Sequence, residues 1–240
     1  MREVMILPEA GAIAREGAER FTALARLAIA ATGRFTVALS GGSTPKALFA
    51  LLVDQPIDWA HVHVFWGDER CVPPDHADSN YRMAHEALLS KVALPAQNVH
   101  RMRGEIDPAQ AARAYEAELR HVFGSIEWPR FDLILLGLGT DAHTASLFPN
   151  TSAIHEATHW VVGHFVEKLQ THRLTLTPPV INHAKQIIFL VAGTDKAAAL
   201  RSVFEGPRDV DQFPAQVIEP LTGRVTWLID EAAAVTLGAP

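Results

Sequence analysis

A histidine in a glycine-rich segment is the side chain of this sequence best suited to proton transfer. The segment Gly137-Leu-Gly-Thr-Asp-Ala-His143 follows an almost wholly apolar stretch, which predicts a loop held at the end of a buried strand. An imidazole exchanges protons near neutral pH, and the amides of neighbouring glycines could hold a developing oxyanion. We therefore predict that His143 is a general base near a helix start. The alternative is a structural or solvated histidine, one of 12 in the chain.

A second segment, Ser40-Gly-Gly-Ser-Thr-Pro45, has the residue types of an anion site. Gly41 and Gly42 allow the backbone to approach a ligand closely. Ser43 and Thr44 offer hydroxyls, and the free amides at the start of a following helix favour a phosphate. The segment lacks the Gly-Lys-Ser/Thr ending of a Walker A loop. The alternative is a turn capped by Ser or Thr that binds no ligand.

Charged side chains gather in Trp66-Gly-Asp-Glu-Arg-Cys-Val72, at the end of another predicted strand. Asp68 could orient a ligand hydroxyl or move a proton, and Arg70 could clamp a phosphate through two hydrogen bonds. The alternative is a surface turn with a local salt bridge.

A fourth strand end carries Ala192-Gly-Thr-Asp-Lys196. Lys196 could pair with a phosphate held by the glycine turn at residues 41–42. The alternative is a capped helix start with a solvated lysine.

Other chemistries have less support. His61 and His63 would share one face of a strand, but no third ligand follows at a telling spacing, so we predict no metal site. No Gly-x-Ser-x-Gly segment marks a serine hydrolase. Residues 137–142 resemble a dinucleotide fingerprint, yet Pro149 ends the predicted helix within about two turns.

The elements that must position these loops alternate between strands and helices. Predicted strands cover 35–39, 62–66, 131–137, 173–176, 186–191 and 225–229, and predicted helices cover 9–31, 45–52, 79–91, 108–123 and 196–204. This order predicts an α/β fold of three layers, with a mostly parallel open sheet between helices. In such folds ligands bind at the carboxyl ends of the strands. The least regular stretch, roughly 150–168, is a candidate flap or small lobe.

Composition narrows the class of protein. The chain has 240 residues, of which 48% are hydrophobic, and its net charge is −6. These values predict one globular domain over residues 1–240 and disfavour a nucleic-acid partner. No apolar stretch reaches the roughly 20 residues of a membrane helix, and the acidic N-terminus is not a signal peptide. With one cysteine, Cys71, we expect a cytoplasmic protein without disulfides or a cysteine-rich zinc site.

Taken together, the motifs resemble the 6-phosphogluconolactonase family over nearly the whole chain. The resemblance is carried by residues 40–45, Gly67–Pro73, Ser79-Asn-Tyr81, Gly137–Pro149, Arg173–Thr177, and Ile181-Asn182 leading to Gly193–Lys196. That family is similar in fold to glucosamine-6-phosphate deaminases and ribose-5-phosphate isomerases. The resemblance implies hydrolysis of 6-phospho-D-glucono-1,5-lactone to 6-phosphogluconate in the oxidative pentose phosphate pathway, without a metal or organic cofactor.

The resemblance also implies roles for individual residues. His143 matches the general base, and Asp68 and Arg70 match an active-site acid and arginine. Ser43 and Thr44 match the phosphate loop. Arg173 matches an arginine near the phosphate, and Lys196 matches a phosphate-binding lysine of the related deaminases. We expect Gly41, Gly42, Gly139 and Asp141 to contact the substrate, and the protein to be a monomer or a small homo-oligomer.

The sequence departs from the family pattern at two places. Ala142 stands where members usually carry glycine, which would strain the loop by roughly 1 kcal/mol if that residue has a positive φ. Residues 165–172, which include Lys168, lack a proline-rich run. Two rival functions use the same fold: a sugar-phosphate deaminase or isomerase, and a non-enzymatic effector-binding domain. The deaminases carry a glutamate shortly after the histidine, whereas residues 146–149 contain no carboxylate.

Overall fold

The computed structural model describes residues 2–124 and 126–238, so residues 1, 125, 239 and 240 of the predicted domain lie outside the described residues. The strands are β1 (Arg2–Leu7), β2 (Phe35–Leu39), β3 (Val62–Trp66), β4 (Asp68–Arg70), β5 (Leu133–Leu136), β6 (Val161–Val166), β7 (Thr171–Leu176), β8 (Gln186–Val191) and β9 (Arg224–Asp230). The helices are α1 (Ala10–Thr32), α2 (Ser43–Leu52), α3 (Asn80–Ala84), α4 (Pro108–Phe123), α5 (Pro178–Asn182), α6 (Ala197–Glu205) and α7 (Glu231–Ala234). A π-helical turn, His85–Leu89, continues α3.

The central sheet has six strands in the order β1-β9-β8-β5-β2-β3, and all of its pairings are parallel. Every residue of β2 and β5 is buried, as expected for strands that are covered on both faces. The predicted α/β fold with a mostly parallel sheet is therefore confirmed. Because the strands run the same way, the loops after β2, β3, β5 and β8 meet at one edge of the sheet.

A second, three-stranded antiparallel sheet has the order β4-β7-β6. Gly67 joins it to the central sheet, because its N–H donates to Leu39 O and its own carbonyl accepts from the N–H of Leu176, both at 2.8 Å. The predicted strand at 173–176 belongs to this small sheet, where it pairs with both β4 and β6. Part of the predicted irregular stretch, 161–166, is also a strand here.

The turn between β2 and α2 differs from the prediction in one detail. The helix begins at Ser43 rather than Pro45, and Gly42 rather than Thr44 precedes its first turn. Gly42 has a φ of 112°, a conformation that favours glycine. The turn therefore depends on this glycine more than on a hydroxyl cap.

Long helices pack closely on the sheet. α1 crosses β8, β9 and β2 and lies against α2, where a Cβ on Gly17 would collide with the Leu48 side chain. Within residues 2–124 and 126–238, no helix is long and apolar enough to cross a membrane.

Two histidines are paired beside β3, at the edge of the central sheet. His63 Nδ1 lies 3.1 Å from His100 Nε2, and His100 Nδ1 lies 2.7 Å from Glu118 Oε1. The His100 ring stacks on Phe65 with the centroids 4.3 Å apart. Burial lowers the pKa of both histidines, although Glu118 opposes the shift at His100.

This pair should make the folded state sensitive to acid. In the unfolded chain the histidines bind protons at their ordinary pKa near 6.5, whereas the folded pair resists protonation. The free energy of unfolding is therefore greatest above about pH 6.5 and falls as the pH drops below it. The parent chain should lose unfolding free energy when the pH is lowered from 7.5 to 5.5. We expect this loss to be smaller by ~1 kcal/mol in His100→Gln. Urea unfolding at the two pH values measures this, with the exposed His61→Gln as control. Equal losses in both proteins would contradict the assignment.

Candidate active site

One cavity of about 300 Å³ lies at the carboxyl ends of the central strands. It collects loops that are far apart in the sequence. Its lining includes predicted site residues from all four loops: Gly41, Gly42, Asp68, Arg70, Gly139, His143 and Lys196. The loops after β2, β3, β5 and β8 thus form a single site, as the parallel sheet requires.

The segment after β5 is a tight loop and not the predicted helix. The Gly139 N–H donates to His143 O at 2.8 Å, and the Thr144 hydroxyl donates to Gly137 O at 2.9 Å. Ala142 has a φ of 61° and Ala145 a φ of 48°, both in the left-handed region. The predicted strain at Ala142 is therefore present, and these backbone conformations prevent a helix from forming.

Gly139 serves the site by having no side chain. A Cβ at this position would overlap the imidazole ring of His143. Its N–H is already bonded to the His143 carbonyl, so it is not free to hold an oxyanion as the sequence suggested.

Asp141 and His143 form a close pair within this loop. Asp141 Oδ1 lies 2.5 Å from His143 Nδ1, and Lys168 Nζ donates to Asp141 Oδ2 at 2.7 Å. Burial opposes ionisation of Asp141, but the hydrogen bonds from His143 and Lys168 outweigh it and hold the pKa of Asp141 well below its ordinary value. An ionised Asp141 can only accept, so in a neutral ring the shared proton sits on Nδ1 and Nε2 carries the free lone pair.

The imidazole is held on its face as well as at its edge. The ring of Phe148 stacks on that of His143, with the centroids 4.2 Å apart. The His143 side chain keeps 29% of its surface exposed, so the ring is fixed yet open to the cavity.

Asp68 is a buried carboxylate at the same end of the sheet. Its Oδ2 accepts from the Ser146 hydroxyl at 2.7 Å, which ties β4 to the histidine loop. The neighbouring Glu69 is also buried, but it accepts from the backbone N–H groups of Arg70, Asn80 and Tyr81 and so anchors the local chain.

Cations of the site face one another. Arg70 and Arg173 are directly opposite in the antiparallel β4–β7 pair. Burial, and then the charge of Arg70, lowers the pKa of Arg173. Like charges in opposed positions destabilise a sheet, so this pair favours an anion between or beside the two guanidinium groups. Lys196 adds a third positive charge at the cavity wall.

Two lining residues were not assigned a role from the sequence. Ser40 Oγ and Asn80 Oδ1 are buried and have no hydrogen-bond partner among the described residues. Buried polar atoms without partners are costly, so these oxygens are suited to meet water or ligand hydroxyls. The Ser79-Asn-Tyr81 motif was the only signal for Asn80.

Some predicted residues lie just outside the cavity lining. Ser43 and Thr44 are in the first turn of α2, directly after Gly42. Arg173 lies opposite Arg70 on the neighbouring strand β7. Asp141 contacts His143 while lining a larger neighbouring cavity of about 800 Å³.

The described residues contain neither a cluster of metal ligands nor a reactive thiol. Across 2–124 and 126–238, no three His, Cys, Asp or Glu side chains are grouped to hold a metal ion. His61 pairs with Asp58 and His63 with His100, so the two do not act together. Burial raises the pKa of the Cys71 thiol to about 11, which disfavours a nucleophilic thiolate.

The fold and this cavity define a class of protein: an α/β protein in which a histidine paired with a carboxylate shares a cavity with an arginine and a lysine. A family model described as "Glucosamine-6-phosphate isomerases/6-phosphogluconolactonase" matches residues 8–227. The chain belongs to this family.

Individual relatives carry the name 6-phosphogluconolactonase. The chain is 43% identical over 240 residues to a 6-phosphogluconolactonase of Nostoc sp., covering 98% of each protein. It is 48% identical over 215 residues to that of Synechocystis sp., covering 88% of each. The solved 6-phosphogluconolactonase from Trypanosoma cruzi superposes with a TM-score of 0.88 at 28% identity, covering 100% of this chain and 98% of that one.

The space that Gly139 leaves for His143 can be tested directly. We expect Gly139→Ala to cost about 1–3 kcal/mol of unfolding free energy and to displace the imidazole, because the new methyl overlaps the ring. Denaturant unfolding and the NMR signals of His143 measure the two effects. Gly137→Ala is the matched control, since a Cβ there meets nothing within 4 Å. Equal behaviour of the two variants would contradict the steric role of Gly139.

Proposed function

We propose that this chain hydrolyses 6-phospho-D-glucono-1,5-lactone to 6-phosphogluconate, the lactone step of the oxidative pentose phosphate pathway. The observation that carries the proposal is the shared cavity in which His143, oriented by Asp141, faces the cations Arg70 and Lys196. One group can activate water while the others hold a phosphate. The names of the relatives support the same substrate.

In this mechanism His143 acts as a general base on water. Nε2 removes a proton as the water oxygen bonds to the lactone carbonyl carbon, and the carbonyl electrons move onto oxygen. When the intermediate collapses, the bond to the ring oxygen breaks and that oxygen takes the proton from His143. General-base catalysis is worth about 10²–10⁴-fold, enough for an activated ester without a covalent nucleophile.

The turn at the start of α2 offers donors to the phosphate. Among the described residues, none accepts a hydrogen bond from the N–H groups of Gly41 and Gly42, which lie at the cavity wall. With Ser43 and Thr44 at the helix start, these amides correspond to the phosphate loop that the resemblance implies. We expect Asp68, whose carboxylate accepts from Ser146, to orient a sugar hydroxyl.

The phosphate supplies binding energy away from the reacting carbon. It carries about −1.5 to −2 charge at neutral pH, which suits the arginines at 70 and 173 and Lys196. Interaction with a dianion would offset the repulsion between the two guanidinium groups. The overall charge of −6 would otherwise repel such a substrate.

The proposal extends to the form in which the enzyme works. It acts as one domain, in the cytoplasm, as a monomer or a small homo-oligomer, and it needs neither a metal nor an organic cofactor.

Hydrolysis of the lactone above its spontaneous rate, with glucosamine 6-phosphate as the control substrate, tests the function. Release of ammonia from the control substrate, without lactone hydrolysis, would favour the deaminase instead.

Replacement of the base should abolish most of the activity. We expect His143→Asn to lower kcat about 10²–10⁴-fold, because the variant loses the general base that takes the proton from water. Steady-state kinetics with the lactone measure the loss, and thermal unfolding checks that the fold is retained. Turnover like that of the parent enzyme would remove His143 from the mechanism.

Replacement of a clamp arginine should separate binding from stability. We expect Arg173→Met to raise KM about 10–100-fold through loss of a charge-assisted contact. The unfolding free energy should stay level or rise, since the variant relieves repulsion with Arg70. KM measurements and urea unfolding test both parts, with the exposed Arg201→Met as control. An unchanged KM would argue against a phosphate contact at Arg173.

A further inference from the structure

The carboxylate of Asp141 has a different partner on each oxygen. Oδ1 holds His143, while Oδ2 accepts from Lys168 Nζ at 2.7 Å. Lys168 belongs to the turn Glu167–Leu169 between β6 and β7, so it reaches the histidine loop from another part of the fold.

The contact between Lys168 and Asp141 does little for stability by itself. The Lys168 side chain is 64% exposed, and exposed ion pairs contribute little to folding. The ammonium group of Lys168 nevertheless lies 2.7 Å from the Asp141 carboxylate, which orients His143. A cation there partly neutralises Asp141 and weakens the pull of the carboxylate on an imidazolium.

We propose that Lys168 is a positioning residue that sets the proton affinity of His143 through Asp141. The inference rests on the proposed function, in which His143 must be neutral to act. By holding one oxygen of Asp141, Lys168 also limits rotation of the carboxylate, so that the other oxygen stays on Nδ1. Lys168, in the turn of the β6–β7 hairpin, then acts on the base through Asp141.

The same hairpin links the two halves of the site. Its strand β7 carries Arg173, and its turn carries Lys168. A displacement of the hairpin would therefore change the anion site and the histidine pair together.

Other charged groups also face the pair and stay in place when Lys168 is replaced. Asp68 and Arg70 on β4 and Lys196 after β8 line the cavity with His143. His164 on β6 and Glu167 in the turn line the larger cavity with Asp141. Because these groups remain, a change in Lys168→Met reports on Lys168 alone.

The test is the pH dependence of kcat/KM in the full chain. Lys168→Met should move the acid limb to higher pH by roughly half a unit to one unit, because the uncovered Asp141 stabilises the imidazolium. Lys168→Arg, which keeps the charge, should restore the parent midpoint. Lys185→Met is the matched control, since Lys185 also pairs with an aspartate, Asp132, at 2.7 Å, but before β8 and away from the cavity.

An NMR titration of the His143 ring, assigned with His143→Asn, gives a readout that does not need turnover. The titration midpoint should move with the acid limb in Lys168→Met and remain in place in Lys185→Met. If Lys168→Met does not fold, Lys168→Gln serves the same purpose.

The inference is overturned if the limb and the ring midpoint stay in place, or if they move to lower pH. It is also overturned if Lys185→Met shifts them as far. Failure of the proposed function is distinct: the parent chain would then show no lactone hydrolysis, while the ring titration would still test Lys168.

Discussion

The hydrogen bond between Asp141 and His143 is the interaction on which the rest of the site depends. It fixes which ring nitrogen carries the proton and which one faces the cavity. Several otherwise unfavourable features exist around it: a left-handed alanine at 142, a glycine at 139 whose space the ring occupies, and a loop where local composition favours a helix. The loop is a strained structure held in place by the buried strand before it and by contacts to β4.

The close placement of two arginines is the second constraint. The guanidinium groups of Arg70 and Arg173 are placed opposite each other by strand register, not by attraction. Their repulsion is a cost to the folded chain that a phosphate dianion can offset. The two arginines thus destabilise the folded chain but would stabilise its complex with an anion, which is typical of a site selected for a ligand.

Sequence patterns predicted the buried parallel strands best, because their apolar runs are local. β2, β3, β8 and α4 have the predicted bounds. The strands β1, β4 and β6 were missed, since each depends on a partner distant in the sequence or on a very short pairing. The predicted loops do meet in one cavity. The contribution of Lys168 and the unpaired oxygens of Ser40 and Asn80 arise only from tertiary contacts, which no local pattern encodes.

The chain's one sulfhydryl group sits beside this site without taking part in it. Cys71 is half-buried next to Arg70, and burial keeps its thiol protonated. Peroxides and alkylating agents react with the thiolate, so they find little of it here. Oxidants should therefore leave the one sulfhydryl group beside the site largely unmodified.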